Sequence, residues 1–221
     1  MARNNTRNNK RDLTQERILD HAEILFARDG YQAVSVREIT SAARCNLAAV
    51  NYHFGNKENL YLEVFRSRWA PRAKRIQASF RKSVAAQDSL SSKSVVRALA
   101  QAFLEGPLSD EERLRHSQLM IREMTQPTAA FEQVADEVIQ PFFKELADKL
   151  RSDLPEDLEE EQEMLNVFSI FGMVLYFNFA RVAVTRLTGR EYDSAFKARL
   201  VEQITEFSLN GLGVSKMEEL R

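Results

Sequence analysis

Residues 35–57 read SVREITSAARCNLAAVNYHFGNK and contain start signals for three successive helices. Ser35 and Glu38 form an S-x-x-E capping box, in which each side chain accepts a hydrogen bond from the other residue's backbone N–H. Asn46 and Asn56 can cap the second and third helices, because a side-chain oxygen satisfies a free N–H there. Only three residues separate the first two helices. The sequence therefore predicts two short helices at a tight turn, followed at once by a third.

Two short helices at a tight turn form a helix-turn-helix, whose second helix can enter the major groove of DNA. Leu47, Val50 and Phe54 give that second helix an inner face through their i, i+3, i+7 spacing. Its other face carries small or hydrogen-bonding side chains, which allow close approach to the bases. The spacing alone also fits a buried helical hairpin in an α-helical protein of any function.

Eight residues are the predicted DNA contacts. Asn51 is predicted to face a base edge, because its amide can donate and accept in one plane, as reading of adenine requires. Arg37 is predicted to contact a base or a phosphate. Two groups complete the set: Leu47 and Ala48 at base edges, and Asn46, Tyr52, His53 and Lys57 at the phosphate backbone.

The string ITSAARCNLAAVNYHFGNKENLY, residues 39–61, closely resembles the DNA-binding signature of the TetR family of bacterial transcriptional regulators. In that family the pattern runs I-A-x-x-A-G-V-S-x-x-x-[LIV]-Y-x-[HY]-F-x-[NS]-K-E-x-L. The matching residues are Ile39, Ala43, Val50, His53, Phe54, Asn56, Lys57, Glu58 and Leu60.

Three positions in the turn depart from the family pattern. Arg44 stands where glycine is usual, Cys45 replaces valine and Asn46 replaces serine. We expect Arg44 to cost little if the turn needs no positive φ there, and its charge could add a phosphate contact. Cys45 is expected to fill the core instead of acting as a redox switch.

The composition agrees with a DNA-binding end on a larger body. Residues 1–70 carry eleven Lys/Arg against eight Asp/Glu, whereas residues 71–221 carry twenty against twenty-four. A basic end on an acidic body suits a protein in which only one part touches nucleic acid. The seven glycines and five prolines leave few turns in 221 residues, so the predicted fold class is all-α.

We predict four segments. Residues 1–12 form a disordered basic arm, residues 13–56 a helix-turn-helix domain whose first helix is capped by Thr14, and residues 57–70 a connector helix ending before Pro71. Residues 71–221 form the larger C-terminal domain, which the family resemblance assigns to effector binding and dimerisation. Its helices are predicted at 72–87, 92–105, 110–125, 128–152, 157–187 and 193–210, with Pro141 kinking or dividing the fourth.

The C-terminal half contains the most apolar stretch of the chain, MLNVFSIFGMVLYFNFARVAV at residues 164–184. Its length approaches that of a membrane span, but Asn166, Asn178, Arg181 and the preceding acidic run favour a buried helix. In the TetR family the last two long helices of each subunit form the dimer interface, and this resemblance gives the burial a reason. FNFARVAVTRLTG, residues 177–189, more loosely resembles a subgroup related to the regulator CecR.

The family resemblance also implies a small-molecule site in the C-terminal domain. Its lining is predicted to be apolar with a few polar groups, which favours an apolar or aromatic effector. The polar candidates include Gln118 and Arg122. The predicted pocket residues are Phe103, His116, Met120, Phe131, Asn166, Phe168 and Phe171.

The sequence favours no catalytic or metal chemistry. It contains no phosphate-binding glycine loop, H-E-x-x-H, C-x-x-C or G-x-S-x-G motif, and we predict no cofactor and no metal. The absence of a signal peptide pattern predicts a cytoplasmic protein. The leading hypothesis is a homodimeric repressor released from a palindromic operator by an effector. The alternatives are an activator, a helical interaction module with a vestigial helix-turn-helix and, more remotely, an enzyme.

Overall fold

The structure, a computed structural model, describes residues 2–155 and 157–214, with side chains from Asp12 onward except at position 152. Every regular element in these residues is helical, as the sequence predicted. The chain divides into two compact units, residues 1–72 with 110–135 and residues 73–109 with 136–221. The first unit contains α1 (Ala2–Asp29), α2 (Val36–Ala42), α3 (Leu47–Phe54), α4 (Lys57–Val64), α7 (Asp110–Thr125) and α8 (Ala129–Val134). The second contains most of α5 (Ala70–Ala85), with α6 (Ser92–Leu104), α9 (Gln140–Leu150), α10 (Glu160–Phe179), α11 (Arg181–Thr188) and α12 (Ser194–Leu212).

Helix α1 is longer than the sequence predicted. It runs without a break from Ala2, so helix replaces the predicted disordered arm from that residue onward, and Thr14 lies inside the helix instead of capping it. The arm's first residue, position 1, lies outside the described residues. The extension is possible because no glycine or proline precedes Gly30, and adding a residue to an existing helix is far easier than starting one. Gly30, at φ +86°, then ends α1, because glycine adopts the left-handed conformation of a helix C-terminus without a steric cost.

The predicted connector helix also continues past its expected end at residue 70. A π-helical turn, Phe65–Trp69, joins α4 directly to α5, which contains Pro71. Proline lacks a backbone N–H and clashes with the carbonyl four residues before it. The wider π-helical turn accommodates this disruption, so the chain stays helical from Lys57 to Ala85.

The compact units divide the chain differently from the predicted domains. Residues 110–135, assigned by the sequence to the C-terminal domain, pack with the helix-turn-helix instead. The reason is a set of buried contacts that α7 makes to α1 and to the π-helical turn Phe65–Trp69. Glu23 of α1 is 2% exposed and pairs with Arg72 and, at 3.6 Å, with Arg115 of α7. Trp69 donates from Nε1 to the carbonyl oxygen of His116 at 3.2 Å. Helix α7 is therefore an integral part of the first unit.

The second unit encloses an apolar core contributed by α5, α6, α9, α10 and α12. Phe80 and Phe142 meet edge to face in it, with ring centroids 5.4 Å apart. Pro141 divides the predicted helix at 128–152, as expected. A π-helical turn, Ala135–Ile139, precedes this proline as the corresponding turn precedes Pro71. Two of the core helices, α5 and α9, therefore contain a proline near their start, and a π-helical turn precedes each of them.

The long helix predicted at 157–187 is broken. Helices α10 and α11 meet at Ala180 with a bend of 76°. The Tyr192 hydroxyl donates to the carbonyl oxygen of Phe177 at 2.8 Å, and that carbonyl would otherwise accept from the N–H of Arg181 in a continuous helix. Among the described residues no single helix is long and apolar enough to cross a membrane, and only the bent pair α10–α11 passes that test jointly.

His116 of α7 has an unusual environment in the first unit. Its ring stacks on Trp69, with centroids 4.6 Å apart and planes inclined by 11°. Burial, reinforced by the positive charges of Arg72 and Arg113, lowers the pKa of His116 to about 3. The imidazole is therefore neutral in the folded protein at any pH above that value.

This burial predicts a pH dependence of stability. Because the unfolded chain protonates His116 near pH 6.5, its contribution is complete above that pH and is lost as the pH falls toward the folded pKa. At pH 5 the loss should be about 2 kcal/mol. Urea unfolding at pH 7 and pH 5 measures it, with His116→Phe as the matched variant that keeps the stacked ring. An equal fall in the free energy of unfolding for both proteins would contradict this assignment.

Candidate nucleic-acid interface

The capping box predicted at the start of α2 is present. The Ser35 N–H donates to Glu38 Oε2 at 2.7 Å, and the Glu38 N–H donates to Ser35 Oγ at 3.2 Å. The hydrogen bond from Ser35 also lowers the pKa of Glu38, which keeps the carboxylate charged at the helix N-terminus. Val34, just before the capping box, and Ile39, in the first turn of α2, are both buried, as in a hydrophobic staple. The start of α2 is thus fixed by local contacts.

The turn between α2 and α3 is a Schellman motif. The Cys45 N–H donates to the Thr40 carbonyl at 3.0 Å, and the Arg44 N–H donates to the Ser41 carbonyl at 3.2 Å. Arg44 occupies the left-handed position of this motif, with φ +50°. The expectation that Arg44 costs little depended on a turn without positive φ. The turn does need positive φ, so arginine is strained where the family pattern has glycine.

Helix α3 begins and ends as the sequence predicted. Asn46 Oδ1 accepts from the Ala49 N–H at 3.0 Å, and Asn56 Oδ1 accepts from the Asn59 N–H at 2.8 Å at the start of α4. Gly55, at φ +81°, allows the sharp change of direction between the two helices. Val50 and Phe54 are buried as predicted, whereas Leu47, also predicted on the inner face, is exposed at the first position of the helix.

Most of the eight predicted DNA contacts lie on solvent-accessible positions of this unit. Leu47 is 47% exposed and Tyr52 is 66% exposed, so both large side chains lie outside the core. The exposed members are Arg37, Asn46, Leu47, Ala48, Asn51 and Tyr52, and the half-buried members are His53 and Lys57. The exposed residues of α3 are apolar, polar or aromatic, and none is acidic. This face can approach a polyanion without repelling it.

Three of the predicted phosphate contacts pack against neighbouring aromatic rings. The Lys57 ammonium lies over the Tyr31 ring, 4.4 Å from its centroid, and burial lowers the pKa of this lysine. The rings of Tyr52 and His53 meet edge to face, with centroids 5.1 Å apart. Sequence reasoning missed Tyr31, which lies in the loop after α1, because nothing in its spacing relates it to Lys57.

Cys45 is half-buried, and burial raises the pKa of its thiol. A raised pKa reduces the thiolate fraction and therefore the reactivity toward oxidants. This environment agrees with the predicted packing role.

The seven predicted pocket residues are divided between the two units. His116, Met120 and Phe131 belong to the first unit, and the other four belong to the second. Phe143 contacts both Phe168 and Phe171, with ring centroids 5.0 and 4.7 Å apart, and Phe171 also meets Phe103 at 5.1 Å. Phe103, Phe143, Phe168 and Phe171 therefore form one aromatic cluster in the second unit. The described side chains also include no group of three His, Cys, Asp or Glu residues placed to hold a metal ion.

Comparison with known protein families matches both halves of the chain. Residues 93–212 match the family profile described as the C-terminal domain of the HTH-type transcriptional dual regulator CecR, and residues 18–64 match that of bacterial regulatory proteins of the tetR family. The HTH-type transcriptional dual regulator CecR of Shigella flexneri is 27% identical over 205 residues, which cover 88% of each chain. The transcriptional regulator QacR of Staphylococcus aureus is 35% identical over 66 residues, 28% of this chain and 35% of QacR.

Solved structures share the fold. A TetR-family transcriptional regulator from Bordetella parapertussis superposes with a TM-score of 0.64 at 18% identity, over 88% of this chain and 93% of that one. A transcriptional regulator from a Rhodococcus species superposes with a TM-score of 0.62 at 15% identity, over 89% and 96% of the two chains. At these identities the comparison establishes the fold alone.

The strained Arg44 predicts a stabilising substitution. Arg44→Gly should raise the free energy of unfolding by about 1 kcal/mol, since glycine adopts positive φ without a steric cost. Arg44→Ala is the control, because it removes the same exposed guanidinium and keeps the strained backbone. Urea denaturation of the three proteins measures the difference. If the glycine variant is no more stable than the alanine variant, the strain is absent.

Proposed function

Because this chain belongs to the TetR family of bacterial regulatory proteins, with a C-terminal domain of the CecR type, it is a DNA-binding transcriptional regulator, and we propose that it represses its target genes. We propose that it binds a palindromic operator as a homodimer in the cytoplasm and is released by a small apolar or aromatic molecule. Regulators of this family are not enzymes, so its output is occupancy of DNA.

The exposed face of α3 carries this proposal. Asn51 is exposed on it, next to Ala48 and Leu47, so an amide that can read adenine has only small or apolar neighbours on the face. We assign these three residues to base edges and Arg37 to a base or phosphate. Tyr52, which is 66% exposed, and the Asn46 amide are assigned to the phosphate backbone.

An exposed apolar stripe supports the homodimer. Leu165, Phe168, Tyr176 and Phe179 follow one face of α10, and each is at least 40% exposed. Phe207 of α12 is 61% exposed beside a groove of about 450 Å³ that α10 and α12 line together. Apolar surface of this extent is costly in water and marks an interaction site. A second copy would cover it through an isologous contact, which pairs one stripe with its equivalent.

The aromatic cluster of the second unit is the proposed effector site. Phe103, Phe143 and Phe171 pack ring to ring, and Phe168 at the edge of the cluster is 55% exposed. The described cavity nearby, lined by α6, α9 and α10, holds only about 10 Å³. An effector would therefore have to displace these rings, and its entry would change the packing of α9 and α10. An aromatic compound would replace the ring contacts that it disrupts.

The operator can be obtained directly. Purified protein is used to select fragments from genomic DNA, and the enriched site is titrated by fluorescence anisotropy at two salt concentrations. Enrichment of a palindrome, bound by a dimer and weakened by salt, supports the proposal. Weak binding to every fragment without enrichment would instead favour a helical interaction module with an inactive helix-turn-helix. Compounds are then screened for release of the enriched site.

The assignments on α3 predict two kinds of DNA-binding defect. Asn51→Ala should weaken operator binding by about 1–3 kcal/mol and relax the preference at one base pair. Tyr52→Phe should weaken binding to all sequences by a similar factor, because it removes only a phosphate contact. Anisotropy titrations on the operator and on its single-base variants separate the two effects. The roles are wrong if Tyr52→Phe alters base preference and Asn51→Ala does not.

The dimer proposal predicts the effect of a charge in the stripe. Phe207→Glu should convert the protein to monomer in sedimentation velocity and weaken operator binding by about 100-fold or more, because two carboxylates would face an apolar interface. Leu114→Glu is the matched control, since Leu114 is similarly exposed on α7, outside the stripe. A Phe207→Glu protein that stays dimeric would exclude this surface as the interface.

A further inference from the structure

The end of α1 is capped by a residue that lies more than ninety positions away in the sequence. Arg122 Nε donates to the Ala27 carbonyl at 3.0 Å, and its Nη2 donates to the Arg28 carbonyl. The last carbonyls of a helix have no partner within the helix and carry partial negative charge. The Arg122 guanidinium supplies two hydrogen-bond donors to these carbonyls, and its full positive charge compensates their partial negative charge.

Position 30 shows how closely this cap fits. Gly30 has φ +86°, and a Cβ atom built there would lie 2.9 Å from Arg122 Nη1. The guanidinium therefore lies directly against the turn that leads from α1 to α2. Any side chain at position 30 would displace it.

The next residue of α7 makes a second buried connection, to α4. The Tyr61 hydroxyl donates to Glu123 Oε1 at 2.6 Å. Glu123 Oε2 accepts from both the backbone N–H and the hydroxyl of Thr128, at 2.9 and 3.0 Å. Glu123 is only 1% exposed, and burial together with this hydrogen bond raises the pKa of Tyr61, so the phenol stays protonated. The Glu123 carboxylate therefore binds both Thr128, the residue that caps α8, and the Tyr61 side chain of α4.

The two helices held in this way both pack against the recognition helix. Helix α3 packs against α4 and α1 as well as α2. Adjacent residues at the end of α7 therefore hold two of the three helices that support α3. We propose that Arg122 and Glu123 are positioning residues for DNA recognition, which set the orientation of α3 without touching DNA. This inference rests on the proposed operator binding.

A positioning role affects one quantity that simple destabilisation does not. A shift of α3 disturbs the base contacts, which need accurate geometry, and largely spares the phosphate attraction that governs non-specific binding. Loss of folded protein instead reduces binding to both kinds of DNA equally, and titration of the competent fraction corrects for it. The informative readout is the ratio of the dissociation constants for a scrambled duplex and for the selected operator.

Two conservative variants test the two connections. Arg122→Lys keeps the positive charge and loses the two-pronged cap, and Tyr61→Phe removes a single oxygen atom. Each should weaken operator binding by about tenfold and change binding to a scrambled duplex of equal length by less than about twofold. Arg97→Gln is the control, because its exposed ion pair with Glu202 lies in the second unit. It should change neither constant.

A double-variant comparison tests whether Tyr61 and Glu123 act through their shared contact. Combining Tyr61→Phe with Glu123→Gln should weaken operator binding less than the product of the two single effects. If the Glu123 variant does not fold, the proposal is decided by Tyr61→Phe and Arg122→Lys, each judged by the ratio above.

The outcomes separate this inference from the function on which it rests. A wild-type protein that does not distinguish any selected site from scrambled DNA would overturn the proposed operator binding itself. A wild-type protein that discriminates, with Arg122→Lys and Tyr61→Phe retaining the same ratio, would overturn only the positioning role. A lower ratio in both variants, with an unchanged ratio in Arg97→Gln, supports it.

Discussion

The structure depends above all on hydrogen bonding of the backbone groups where helices begin, end or break. An all-helical chain has many such places, and each leaves N–H or C=O groups without a partner in the helix. Around the recognition helix the partners are local. Ser35, Asn46 and Asn56 each accept from an N–H three residues ahead. A short stretch of sequence therefore determines where α2, α3 and α4 begin.

Other helix ends are satisfied by residues far away in the chain, and these were the parts that the sequence could not predict. Arg122 caps α1, and the Tyr192 hydroxyl takes the Phe177 carbonyl where α10 breaks from α11. Asp153 Oδ2 accepts from the Ser92 N–H at the start of α6. No spacing rule relates such partners. The predicted helix at 157–187 was consequently too long, and the membership of α7 in the first unit was missed.

The same contrast explains why the exposed face of α3 could be predicted and the distribution of the pocket candidates over the two units could not. The predicted DNA contacts fall within residues 37–57, where helix period and caps determine which side chains share a face. A pocket requires side chains from several helices to converge, and that depends on packing. Phe131 and Phe171 both lie on predicted helices of the C-terminal domain but belong to different units. The prolines were also only partly informative about where helices end. Pro71 and Pro141 marked disruptions of the helices, but a π-helical turn accommodates each of them.

The inclusion of α7 and α8 in the first unit has an energetic reason. The predicted domain at residues 13–56 is close to the ~40-residue size below which a single apolar core rarely stabilises a fold. Glu23, buried in α1, gains Arg72 and Arg115 as partners only because α5 and α7 pack beside it. Its carboxylate would be costly to bury alone. The DNA-reading unit is therefore stabilised by helices that the sequence places a hundred residues away, and its geometry depends on them too.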